Sequence, residues 1–311
     1  MSLSLRAGLA ERPGRAAVQC SEPNAGPALC TYRGITLRPG PAIHLGTPTW
    51  IPDQVRDDNA PVENLIFIVI LGATLAGFVQ GLSGFGFGLT AMSLWAWTLE
   101  PRLAAALAVF GALTGQIIAA VAVRRGFNLQ RLLPFVAGGL AGVPVGIYIL
   151  PRLDIPLFKG LLGLLLVVMC PLMFFAARLP RIAAGGRAGD ALAGAAGGMM
   201  GALGGFTGVV PTLWCTLRGF EKDTQRAVIQ NFNLAMLTVT FISYMATGIA
   251  TRQMLPLFAI VAPAMLIPSL LGARLYLGIG ETGFRKVVLT LLTASGVAML
   301  VSALPVLARR W

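Results

Sequence analysis

Two glycine-rich stretches decide the fold: GFVQGLSGFGFG at residues 77–88 and GGMMGALGGFTG at residues 197–208, the second followed by Pro211. Each stretch interrupts a long uncharged window. Glycine lowers helix propensity by about 1 kcal/mol per residue, and a break facing lipid would leave peptide groups unsatisfied at several kcal/mol each. We therefore expect two broken or re-entrant helices whose breaks face protein or water.

The surrounding sequence has the composition of a membrane protein. The chain of 311 residues is 56% hydrophobic and 12% charged, whereas soluble domains are about 25% charged. Because a helix needs roughly 20 residues to cross the hydrocarbon core, we predict an all-α integral membrane protein with about eight transmembrane helices. The windows without Asp, Glu, Lys, Arg or His are 64–99, 103–123, 132–151, 160–177, 191–217, 227–251, 253–273 and 287–308.

The positive charge does not indicate a nucleic-acid partner. The net charge is +12, but the cations stand singly or in pairs between apolar windows, where lipid headgroups favour them. They occur in nearly equal numbers in the loops of both sides, so orientation is not predicted. The windows contain no metal-ligand cluster, paired acids or serine with a basic partner, so we expect no catalytic residue, metal or cofactor and no enzymatic activity.

Residues 1–61 differ from the rest of the chain. They are rich in Arg, Pro and Gly without apolar periodicity, which predicts a disordered tail. The stretch WIPDQVRDD at 50–58 resembles translated repeat DNA upstream of a gene. A mis-assigned start, with Val62 as the natural first residue, is therefore an open alternative.

The remaining chain repeats weakly at an offset of 121 to 126 residues. Gly84-Phe85-Gly86 matches Gly205-Phe206-Thr207, and Glu100 matches Glu221. Internal symmetry is common in transporters, so we predict a first transmembrane repeat at 62–178 and a second at 179–311. Parallel and inverted repeats both remain open.

The two breaks are the candidate substrate site. A half-helix N-terminus offers free N–H groups to an anion, and corresponding breaks in two halves indicate where a transporter binds its substrate. The alternative is that the glycines only let helices pack closely. Polar residues nearby are Gln80, Ser83, Thr90, Gln116, Thr207, Thr212 and the amides of 230–233. Of these we assign Gln80, Ser83, Thr207 and Asn231 to the substrate site.

Residues 64–308 resemble the TauE/SafE sulfite exporter family. The likeness is carried by the run at 77–86, by its counterpart GGFTG at 204–208 with Pro211, and by the stretch from Arg218 to Arg226. The resemblance implies transport of sulfite, sulfonates or small organic acids. Its motif falls on Gly81, Ser83, Gly84, Phe85 and Gly86 and on Gly204, Gly205, Thr207 and Gly208.

The predicted function is export of a small anion across the bacterial cytoplasmic membrane by alternating access. An inside-negative potential drives an anion outward, and we expect Arg102 and Arg226 to attract it at the mouth. Proton coupling would have to use Glu100, Glu221 or Asp223. The alternatives are a cation-coupled carrier, disfavoured by the lack of a buried acid, and a membrane assembly or scaffold protein. The sequence leaves open whether the protein forms a homodimer.

Overall fold

The computed structural model describes residues 19–20, 30–32, 35–37, 62–84, 86–122, 128–176, 180–181, 185–276 and 281–308. The chain divides into two compact units, Met1–Pro48 and Thr49–Trp311. In the first unit, strands β1 (Gln19–Cys20), β2 (Cys30–Tyr32) and β3 (Ile35–Leu37) pair antiparallel in that order. The rest of residues 1–61 lies outside the described residues, so the disordered tail and the start at Val62 stay predictions.

The described residues from 62 onward form ten α-helices. A single 3-10 turn precedes α5 at Leu150–Arg152, and another precedes α9 at Arg252–Met254. The helices are α1 (Val62–Ser83), α2 (Phe87–Trp95), α3 (Pro101–Ala122), α4 (Leu129–Ile149), α5 (Ile155–Phe175), α6 (Gly186–Gly204), α7 (Val209–Leu217), α8 (Lys222–Ala246), α9 (Leu255–Tyr276) and α10 (Glu281–Ala308).

Seven of these helices are long and apolar enough to cross a membrane. They are α1, α3, α4, α5, α8, α9 and α10. The remaining predicted window, 191–217, is divided between α6 with 19 residues and α7 with nine. A total of eight crossings therefore stays a prediction.

The first glycine-rich stretch folds into a helical hairpin. Gly84 has a φ of +79°, a conformation that a side chain disfavours, and it separates α1 from α2. The Phe87 amide donates to Gln80 Oε1 at 3.0 Å, and the Trp95 indole Nε1 donates to the Ile68 carbonyl at 3.2 Å. Successive residues of α2 thus meet earlier residues of α1, so α2 runs back alongside it.

The second stretch folds in the same way. Gly205 has a φ of +78° and separates α6 from α7. A Cβ added to Gly197 would lie 2.6 Å from the Thr207 carbonyl, and Trp214 Nε1 donates to Asp190 Oδ1 at 2.8 Å. The short helix α7 therefore returns along α6 and ends near its first turn.

Each hairpin packs against the fourth helix of the other half, α6 against α4 and α1 against α9. A Cβ added to Gly138 of α4 would overlap the Ala191 carbonyl of α6, and one added to Gly142 would overlap the Ala195 carbonyl. The numbers of the contacting residues rise together along both helices, so α4 and α6 are parallel. Small residues at such a crossing let helix backbones approach closely in a membrane.

Helices α1 and α9 make the corresponding parallel contact. A Cβ on Gly77 would lie 2.6 Å from the Met265 carbonyl, and one on Gly81 would overlap the Ser269 carbonyl. Each broken helix is thereby held by a helix from the opposite half of the sequence.

Helices α5 and α10 pack antiparallel. A Cβ on Gly160 would lie 3.8 Å from Ala303 Cβ, whereas one on Gly163 would lie 2.8 Å from the Gly296 carbonyl. From one contact to the next, the residue number rises on α5 and falls on α10, so the two helices run in opposite directions.

Helices α3 and α8 are also antiparallel and bring both halves to one centre. The rings of Phe110 and Phe241 lie 5.9 Å apart. Further along, Gln116 Nε2 donates to the Gly84 carbonyl at 2.5 Å, and a Cβ on Gly84 would lie 3.8 Å from Gln230 Nε2. The first break is therefore enclosed by α3 and α8.

Candidate functional site

The N-terminus of α2 is bonded to side chains of α1. Ser83 Oγ accepts a hydrogen bond from the Gly86 amide at 3.0 Å, and Gln80 Oε1 accepts one from the Phe87 amide at 3.0 Å. Gln80 is only 3% exposed. These two side chains thus occupy two of the N–H groups at the start of α2, so a ligand that bonded to those two would exchange places with Ser83 or Gln80.

The second break is closed by a hydroxyl-to-amide bond. Thr207 Oγ1 donates to Asn233 Oδ1 at 2.9 Å, and both side chains are 1% exposed. A Cβ added to Gly208 would lie 2.8 Å from Asn233 Nδ2, so the start of α7 sits directly on this amide. A buried polar pair of this kind is costly to separate unless something replaces its hydrogen bond.

The two breaks touch each other. A Cβ added to Gly88, in the first turn of α2, would lie 2.7 Å from the carbonyls of both Gly204 and Gly205. One added to Gly205 would lie 3.1 Å from the Ala108 carbonyl of α3. Because only glycine leaves room for these approaches, the glycine pattern serves the contact between the hairpins as well as the breaks themselves.

Two buried hydroxyls lie near the breaks without a hydrogen-bond partner among the described residues: Thr90 Oγ1 and Thr212 Oγ1. Each belongs to the fourth residue of its short helix, α2 or α7. They stand 122 residues apart, within the range of the internal offset. Sequence reasoning noted both as polar residues near the breaks but did not select them, and only their burial distinguishes them.

Several predicted site residues lie elsewhere. Gly81 packs against the Ser269 carbonyl, which supports the close-packing alternative at that position. On α8 the residues beside the breaks are Gln230 and Asn233, while Asn231 is half-buried on another face of the helix. Phe85 lies outside the described residues.

Arg102 is the second residue of α3, and Arg226 is the fifth residue of α8. Because these helices are antiparallel, the two arginines lie toward opposite ends of the molecule. Arg102 Nη2 donates to the Pro151 carbonyl at 3.2 Å, and Arg226 is exposed. Beside Arg102, burial raises the pKa of the Glu100 carboxyl above its ordinary value, while the Arg102 guanidinium acts in the opposite direction.

The side chains around the breaks are amides and hydroxyls. Gln80, Gln116, Asn233 and Thr207 are all at most 3% exposed, and the windows that contain them hold no Asp, Glu, Lys, Arg or His. Such a site recognises a ligand by hydrogen bonds and backbone dipoles. It has no group of its own to carry a full compensating charge.

The chain was compared with models of known protein families. The model of the sulfite exporter TauE/SafE family matches residues 69–299, which confirms the resemblance drawn from the glycine-rich runs. Searches of curated proteins and of solved structures found no match.

Proposed function

The chain belongs to the sulfite exporter TauE/SafE family, and we propose that it exports small anions across the bacterial cytoplasmic membrane by alternating access. The family and the seven apolar helices identify a multi-pass membrane protein of a transporter class, which is not an enzymatic one. Sulfite, sulfonates and small carboxylates are the proposed substrates.

The proposal includes two inverted repeats of five helices each, α1–α5 and α6–α10. The order of elements supports it, because each half has a broken pair followed by three long helices. The antiparallel packing of α3 with α8 and of α5 with α10 supports inversion, since these are the pairs that the repeat would relate. The repeat boundaries at 178 and 179 fall between α5 and α6.

One observation carries the anion site: the two hairpin breaks meet at Gly88, Gly204 and Gly205. The N-termini of α2 and α7 start at these breaks, and a helix N-terminus carries a partial positive charge. An anion bound between them would take hydrogen bonds from main-chain N–H groups and from the Thr207 hydroxyl. A cation would meet no carboxylate in either broken window.

Charge movement supports export without a proton carrier. A membrane potential is worth about 2.3 kcal/mol per elementary charge per 100 mV, and an inside-negative potential drives an anion outward. Alternating access would then rock each hairpin together with the opposite half's helix that holds it, α1 with α9 and α6 with α4.

The test is radiolabelled sulfite efflux from liposomes that contain only the purified protein, with a potassium-valinomycin potential. Thr207→Val should lower the rate by at least about tenfold, because the hydroxyl is lost from a buried position where its partner Asn233 remains. Thr238→Val is the matched control, since Thr238 is exposed on α8 and its hydroxyl, among the residues that the structure describes, bonds only to the Leu234 carbonyl of its own helix.

Both variants should keep the wild-type elution profile in size-exclusion chromatography. Normal efflux in Thr207→Val would refute the assignment of the breaks. Absence of any protein-dependent efflux in the wild type would refute transport and favour the assembly or scaffold role.

A further inference from the structure

A second polar site lies at one end of the helix bundle, away from the breaks. A cavity of about 560 Å³ opens where α4, α6 and α8 begin. Its lining includes Arg131, Arg187, Arg218, Asp190, Phe220 and Glu221. Asp190 precedes the Gly205 break by 15 residues of α6, which places it about 22 Å away at 1.5 Å per residue. We call this cavity the basic vestibule.

We propose that the basic vestibule binds the oxyanion group of a small anion. It has the volume of an ordinary ligand pocket. The N-termini of three helices point toward the same end, and each contributes a partial positive charge. The vestibule therefore gathers helix dipoles and three guanidinium groups from segments that are distant in sequence.

The acidic residues offset only part of this charge, because three guanidinium groups against the two carboxylates of Asp190 and Glu221 leave the lining with a net charge of +1. Asp190 Oδ1 accepts hydrogen bonds from Trp214 Nε1 at 2.8 Å and from Arg218 Nη1 at 2.9 Å. Arg218 Nη1 also donates to the Gly186 carbonyl at 2.8 Å. Among the described residues, the Nε and Nη2 donors of Arg218 have no partner, so this side chain can bind an anion while it keeps its ion pair.

Two further arginines, Arg131 and Arg187, line the same cavity. Arg131 and Arg218 both lie over the Phe220 ring, with guanidinium carbons 5.0 Å and 5.6 Å from its centroid. Arg187 is exposed and makes no hydrogen bond or ion pair with the described residues. Like charges held near one ring repel each other, and a bound oxyanion would offset that repulsion while taking planar, bidentate hydrogen bonds from guanidinium groups.

The opposite hairpin lacks this arrangement. Where Trp214 donates to the Asp190 carboxylate, Trp95 donates to the main-chain carbonyl of Ile68. The bonding of Asp190 to Trp214 and Arg218 therefore occurs at one end of the molecule and is not a consequence of the repeat. If the proposed transport function holds, the vestibule is the place where the anion is collected before it reaches the breaks.

The experiment measures binding without transport. Sodium sulfite is titrated anaerobically into protein in phosphatidylcholine nanodiscs by calorimetry, in a Thr207→Val background that weakens the central site. Arg187→Gln should weaken binding about threefold to tenfold, and Glu221→Gln should strengthen it about twofold to threefold, as expected for partly exposed charges. Arg252→Gln is the matched control, because Arg252 is exposed and does not line the vestibule.

A second arm distinguishes a free anion from a lipid headgroup. Phosphatidylglycerol retained by the protein after purification is quantified by mass spectrometry for the wild type and for both arginine variants. Sulfite binding that depends on Arg187 identifies a free anion, and lipid retention that depends on Arg187 identifies a headgroup phosphate; either result supports the oxyanion site. Equal behaviour of Arg187→Gln and Arg252→Gln in both arms would overturn it. Loss of liposome efflux alone would count against the transport function and leave this site intact.

Discussion

Substitution of Gly88 by alanine distinguishes the effect of helix propensity on stability from the effect of the contact between the hairpins. Gly88 is in the first turn of α2, where alanine would favour the helix by about 1 kcal/mol. Its Cβ would lie 2.7 Å from two main-chain carbonyls, those of Gly204 and Gly205, whereas ordinary contacts begin at 3.4 Å. The hairpins must then move apart by about 0.7 Å, and overpacking of this kind costs about 1–3 kcal/mol.

The net expectation is a destabilisation of up to about 2 kcal/mol together with loss of most sulfite efflux, because the separated breaks no longer form one site. Gly160→Ala is the matched control. Gly160 lies within α5, and its Cβ would meet the flexible tip of Leu307 at 3.3 Å and Ala303 Cβ at an ordinary 3.8 Å. We expect that variant to keep its efflux and to melt at or slightly above the wild-type temperature.

Melting is monitored in detergent through the reaction of the buried cysteines with a thiol-reactive dye, and efflux is measured in liposomes. A destabilisation of 1 kcal/mol lowers the melting temperature by about 2–4 °C in a chain of this size. If Gly88→Ala melted like Gly160→Ala and transported at the wild-type rate, the two breaks would not be in contact, and the reasoning that joins them into one site would fail.

Three further outcomes follow from the structure. Gly142→Val should prevent recovery of a monodisperse protein in size-exclusion chromatography, because its side chain would enter the Ala195 carbonyl at the crossing of α4 and α6; a normal peak would contradict that crossing. Glu100 has a raised pKa in the folded protein, so its contribution to stability is present below its unfolded pKa and is lost as pH rises through the folded value. Glu100→Gln should therefore raise the melting temperature relative to wild type at pH 7.5 but not at pH 4, and an equal effect at both values would count against a buried carboxyl. Asp190→Asn should destabilise by about 1–2 kcal/mol by leaving Arg218 without its counter-charge, and Arg218→Gln in the same chain should restore part of the loss; strictly additive losses would show that the pair is not coupled.

The glycine-rich runs show which features of the site could be predicted from the sequence. Both breaks were predicted, because glycine content and the length of an uncharged window can be read along the chain. The sequence did not distinguish the glycines that shape a break from those that let helices pack. Gly81 and Gly84 are three residues apart, yet Gly81 packs on the Ser269 carbonyl and Gly84 makes the turn at positive φ. That distinction depends on a helix that begins more than 170 residues later.

The amides of α8 show the same limit. The sequence indicated that polar side chains inside an apolar window need a partner, and from these it selected Asn231. The structure brings Gln230 and Asn233 to the breaks, because residues three apart share a helix face and the rotation of α8 about its axis is set by packing. No periodicity within the window fixes that rotation.

The sequence by itself determined that the chain is helical, apolar enough to span a membrane and interrupted at two glycine-rich points, since hydropathy and helix propensity are properties of consecutive residues. Tertiary structure alone decided that α5 and α10 run in opposite directions, that the breaks meet at Gly88, and that three arginines from separate helix ends line one cavity. These features arise from contacts between segments more than 30 residues apart. Such contacts depend on how helix surfaces fit together, which local composition does not encode.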